Sequence, residues 1–194
     1  MRTRTPQNRK FLEHMGGNWA TPKQAMPKKA AVAKFAAARR EAVAKKFKGQ
    51  VVVIEAGSAK VRSNDTEYMY RAHTAFSHLT GWGSATVPDS VLVIDARGRS
   101  AKSIIFFRET AGHDSDEFFA NAAIGEFWVG KRPSLQQVSA LLDIQTHSLT
   151  SYKAFIKTLP SRQNPNSFFE DSIISFNELP VKLSLNYFIN LLKG

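Results

Sequence analysis

The 194-residue sequence has no cysteine. That excludes disulfides, thiolate metal sites and a cysteine nucleophile, and fits a reducing compartment. Long apolar runs are missing too. Stretches such as Val51–Ile54 fall far short of the roughly 18 residues a membrane helix needs. Met1–Lys10 is basic but leads into no apolar segment of the secretory kind, so the expected location is the cytoplasm, with no membrane partner. There is no G-x-S-x-G elbow, no G-x-x-x-x-G-K-[ST] loop and no G-x-G-x-x-G fingerprint. His73 and His78 are five apart, which matches neither a helical zinc pair nor one face of a strand. The local ligand cluster is His113-Asp114-Ser115-Asp116-Glu117, and its turn-like composition favours a solvated loop over a metal site.

Acidic residues are scarce at one end only. Residues 1–50 hold 13 Lys/Arg against Glu13 and Glu41, whereas residues 51–194 hold 14 of each sign. The net charge of +11 therefore sits wholly on the leading segment. Such a block reads as a solvated tail and helix face in preference to a nucleic-acid surface. Binding of nucleic acid through Lys28–Lys48 would have to weaken steeply with salt.

What is present is a foldable chain: 43% hydrophobic residues and 11% aromatics exclude wholesale disorder. Residues 1–27, with Pro6, Gly16, Gly17, Pro22 and Pro27, read as an irregular basic arm, whose Phe11, Met15 and Trp19 are apolar enough to dock on the body or a partner. Lys28–Lys48 reads as a helix with Val32, Phe35, Ala36, Val43 and Phe47 as its apolar stripe. Gln50–Ala56 and Ser90–Ala96 are β-branched runs typical of strands covered on both faces, and Ser103–Phe107 pairs with the second as a hairpin. Phe76–Thr80 and Ile173–Phe176 read as further strands, and Ser134 caps a helix to about Leu142. Ser148–Leu159 reads as another helix. The expected fold class is α/β: one domain with a mixed sheet flanked by helices over residues 28–182, and a tail at 183–194.

Two stretches are richer than a core requires. Arg62-Ser63-Asn64-Asp65-Thr66-Glu67-Tyr68-Met69-Tyr70-Arg71 leads into Phe76-Ser77-His78-Leu79-Thr80-Gly81. An Asp65 pair with Arg62 or Arg71 would be a charge-assisted bond that shapes a loop. Glu126-Phe127-Trp128-Val129-Gly130-Lys131-Arg132 sets a Trp on a short extended segment between an acid and a basic pair. Both stretches suit either loop scaffolding or the lining of a peptide groove with Trp128 as an aromatic wall.

These residues resemble the N-terminal domain of Xaa-Pro aminopeptidases (aminopeptidase P), relatives of prolidase and creatinase. The family shows R-S-x-D-x-x-Y-x-[FY]-R followed by F-x-Y-L-T-G. Arg62, Ser63, Asp65, Tyr68, Tyr70, Arg71, Phe76, Leu79, Thr80 and Gly81 match it in order. Its later E-x-W-x-G-x-R element is matched by Glu126, Trp128, Gly130 and Arg132. Met69, Ala75 and His78 depart from the family, which often has Pro, Asp and an aromatic there. The resemblance implies a catalytic pita-bread domain as partner, whose two Asp, one His and two Glu hold two manganese ions. Residues 183–194 do not resemble the approach to it, so this chain is expected to hold no metal or other cofactor and no catalytic residue. Asp65, Arg71, Trp128 and Arg132 are the expected cleft or interface residues. Arg62, Ser63, Tyr68, Tyr70, Thr80, Gly81, Glu126 and Gly130 are the expected scaffold. A homo-oligomer is expected, with peptide substrate bound only alongside the catalytic domain. The alternative is a stand-alone peptide- or protein-binding module.

Overall fold

The computed structural model describes residues 8–20, 25–64, 66–159 and 173–175. A five-stranded mixed sheet is built from β1 (Val51–Glu55), β4 (Val91–Asp95), β5 (Lys102–Phe107), β6 (Gln145–Ser148) and β7 (Ile173–Ser175), in the order β6-β5-β4-β1-β7. β1 and β4 pair antiparallel with Val53 opposite Val93, and β4 and β5 form the expected hairpin with Val93 opposite Ile104. β6 and β7 add parallel edges beside β5 and β1. β2 (Val61–Ser63) and β3 (Thr66–Glu67) form a separate small antiparallel pair.

The continuous apolar runs are buried on both faces because successive side chains of a strand point oppositely. Val52, Ile54, Leu92, Ile94, Ile105 and Phe107 face α2 (Ala33–Lys46), α3 (Thr74–Thr80) and α6 (Leu135–Leu142). Val51, Val53, Val91, Val93, Ile104 and Phe106 face Leu149 and the Tyr152, Phe155 and Leu159 side of α7 (Tyr152–Thr158). Each of these side chains contributes about 1.5–3 kcal/mol by leaving water. Ser134 and Gln137 cap α6 reciprocally, as the capping-box spacing requires.

Four expectations are corrected. Phe76–Thr80 is the body of helix α3, not a strand: His73 caps its start, and Gly81, at φ 71, ends it. Trp128 sits in α5 (Glu126–Val129), one helical turn rather than an extended segment. The arm read as irregular contains α1 (Arg9–Gly16), capped by the Asn8 side chain. In α2 the buried face is Ala33, Ala36, Arg40, Val43 and Ala44, whereas Phe35 is 54% exposed with the Lys34 ammonium over its ring. The helix also starts five residues later than read, because Lys28–Val32 instead follows α6, through a Lys29–Asp143 ion pair and the Ala30 N–H on Leu141 O. Among the described residues no helix is long and apolar enough to cross a membrane.

Candidate functional site

The first motif begins where β1 ends. The chain turns at Gly57, whose φ of 82 suits glycine. The Tyr70 hydroxyl lies 3.0 Å from Ala56 O and 2.9 Å from Gly57 O and shares its one proton between them. The same carbonyls accept the main-chain N–H groups of His73 and Asp89, and the Ser58 hydroxyl bonds the Asp89 carboxylate. Burial, with the nearby charge of Asp89 second, pushes the Tyr70 phenol up to about 12. Tyr70 thus fastens two loops at the end of the sheet. Arg62, Ser63, Tyr68 and Arg71 are exposed, and Met69 is 96% exposed, so its departure from the family leaves packing untouched. Asp65, and with it the expected pair to Arg62 or Arg71, lies outside the described residues.

Thr80 and Gly81 lie at the end of α3. The buried Thr80 hydroxyl donates to Phe76 O and accepts from the Trp82 N–H. At Gly81 a Cβ would sit 2.9 Å from a Val32 methyl, so glycine lets α2 approach. Arg39 and Arg40 of α2 donate to the carbonyls of His78 and Leu79, which the end of α3 leaves without helical partners. Sequence reasoning missed this pair, because an arginine on an apolar stripe looks like a flaw in the stripe.

The second motif rests on α4 (Glu117–Ala120). A Cβ on Gly125 would lie 2.1 Å from Phe118 O, so the one-turn helix α5 can seat there only behind a glycine. Gly130, at φ 68, releases the chain again. Glu126 is half-buried and its N–H bonds Ala111 O. The Trp128 indole N–H donates to Phe119 O at 2.7 Å, leaving the side chain 46% exposed. Arg132 donates to Ala123 O at 3.3 Å. Burial lowers its pKa, while the charges of Asp89 and Glu67 act the other way. The structure therefore brings Arg132 into electrostatic reach of Glu67 from the first motif and of Asp89, which also faces Tyr70. Asp89 was missed in the sequence; its only signal was the turn composition of Pro88-Asp89, and it sits at φ 62.

The arm is laid on this motif. Phe11 packs edge-on against Phe119, and Trp19 against Phe118 and Phe127. The Trp128 ring in turn packs at a tilt against Phe119 and edge-on against Phe127. The result is an aromatic group open to solvent along Phe127 and Trp128.

Chemically, this arrangement offers an aromatic face and hydrogen-bonding edges. Glu117 of the acidic loop bonds Arg108 and Asn121. Among the described residues no group of three or more His, Cys, Asp or Glu side chains could hold a metal ion, so they do not fit a dinuclear manganese site. A cleft of about 710 Å³ lies elsewhere, between α2 and the β4–β5 turn, lined by Lys45, Lys48, Arg99 and Asp143 and by no motif residue.

The sequence pattern of the family described as aminopeptidase P, N-terminal domain, matches residues 36–168. Xaa-Pro aminopeptidase 1 of Streptomyces coelicolor is 36% identical over 134 residues, 69% of this chain and 26% of its own length. Xaa-Pro aminopeptidase 2 of the same organism is 30% identical over 130 residues, 67% of this chain and 27% of its own length. The chain thus spans about a quarter of the length of these relatives. The structure of Escherichia coli aminopeptidase P with the inhibitor Pro-Leu superposes with a TM-score of 0.59 at 20% identity, over 85% of this chain and 34% of that one. At that identity the likeness is one of fold. With both motifs in place on this fold and the family pattern spanning most of the chain, the chain belongs to the aminopeptidase P N-terminal domain family.

Proposed function

We propose that the chain acts as the non-catalytic N-terminal domain of a cytoplasmic Xaa-Pro aminopeptidase, lining the substrate cleft and supporting a homo-oligomer. In this reading a metal domain, of the same or a neighbouring subunit, would supply the metal-assisted hydrolysis of the bond before proline. This domain supplies a wall. The observation that carries the reading is Trp128: it belongs to a family motif, its N–H is committed inward to Phe119 O, and its ring is half-exposed. A rigid aromatic face suits a proline ring, which offers apolar surface and no N–H. Asp65 and Arg71 are the other residues assigned to that face. Arg132, which donates to Ala123 O, joins them.

The test is a nuclear magnetic resonance titration of the chain, mixed with a metal-loaded aminopeptidase P catalytic domain, with an Xaa-Pro tripeptide at millimolar concentration. The Trp128 indole resonance is expected to shift while that of the core residue Trp82 stays fixed. No shift at Trp128, or equal shifts at both, would overturn the wall.

A further inference from the structure

Residues 8–20 precede the family-matched region, yet their contacts converge on the support of Trp128. α1 comes so close to the body that a Cβ on Gly16 would lie 2.5 Å from the His113 carbonyl oxygen. Phe11 meets Phe119 with ring centres 5.4 Å apart, and Trp19 meets Phe118 at 5.2 Å and Phe127 at 6.2 Å. The Trp19 indole N–H donates to Met15 O at 2.8 Å, which fixes that ring against the end of α1. Phe119 is the shared member: its ring takes Phe11, and its carbonyl takes the Trp128 indole N–H. Phe127 is shared likewise, lying between Trp19 and Trp128.

We propose that residues 8–20 are a positioning strap for Trp128. By clamping Phe119 and Phe127 they hold the indole with its N–H inward and its face outward. Phe11 and Trp19 are then positioning residues that act through other rings. The value of such a strap rests on the reading of Trp128 as a peptide-contacting wall. Ordering the ring during folding spares that ordering when a peptide arrives, which is how preorganisation raises affinity.

The experiment follows solvent exchange of the Trp128 indole proton in the full chain, assigned by its loss in Trp128→Phe. Gly16→Ala raises helix propensity but drives a Cβ against a main-chain oxygen, so it lifts α1 without weakening it. Exchange at Trp128 is expected to rise at least about tenfold while Trp82, in the core, keeps its rate. If Gly16→Ala also disturbs Trp82, Phe11→Leu, which removes only the ring contact, decides on the same readout. Unchanged Trp128 exchange in the deciding variant overturns the strap. Since no peptide is present, this outcome is independent of whether Trp128 contacts substrate.

Discussion

Arg40 donates from Nη1 to the main-chain carbonyl of Leu79 at 2.9 Å, tying the middle of α2 to the end of α3. Arg40 is only 5% exposed, and burial lowers its pKa with Asp143 opposing. A cation there meets the partial negative charge of a helix C-terminus. Arg40→Met keeps the stem and strands the carbonyl. It is expected to cost about 1–3 kcal/mol in urea unfolding. A loss below about 0.5 kcal/mol would show that water takes over the bond.

Gly81 combines a left-handed backbone with a Cβ position already claimed by Val32. Gly81→Ala is expected to destabilise by about 1–3 kcal/mol. Adding Val32→Ala should restore the steric share and leave the backbone share, which a double-mutant cycle separates. Full additivity of the two changes would contradict the contact.

Burial, with Arg39 second, holds the His78 imidazole below its ordinary value. A depressed histidine favours folding above the unfolded pKa of about 6.5, and that contribution is lost as pH falls through the folded value. Urea midpoints are therefore expected to drop on acidification, and His78→Phe, which restores an aromatic at this family position, should flatten part of the drop. An identical slope in the variant would remove His78 as a cause.

Tyr70 works at the other end of the scale. Its pKa is raised to about 12, first by burial and then by Asp89, so the fold prefers the protonated phenol. That preference is fully present below the unfolded value of about 10 and is lost as pH rises through the folded one. Ultraviolet titration should show a tyrosine ionising late, and Tyr70→Phe should remove that step and soften the alkaline loss of stability. A titration curve unchanged by the substitution would contradict the two carbonyl contacts.

The central strands were legible because runs such as Val51–Ile54 and Val91–Ile94 bury both faces and admit few other readings. The polar edge strand Gln145–Ser148 was not: it is held by pairing with β5, and its side chains carry no apolar pattern. Phe76–Thr80 misled because five residues cannot distinguish a short strand from two helical turns, although Gly81 was the available stop signal. α1 is hidden among Pro6, Pro22 and Pro27, and the apolarity of Phe11, Met15 and Trp19 points to docking on the body or on a partner; Phe11 and Trp19 lie on the body. Within the motifs, the resemblance picked out Tyr70, Thr80, Gly81 and Trp128. What it did not convey is that the charge of Asp89 acts on both Tyr70 and Arg132, because that convergence joins three separate loops.

The central claim is that this chain contributes a wall and leaves the chemistry to a metal domain. The most direct test incubates the purified chain with manganese and an Xaa-Pro peptide and follows release of the first residue. No release above the protein-free control is predicted. Manganese-dependent release that tracks the pure protein would contradict the claim and would place a catalytic site within these 194 residues.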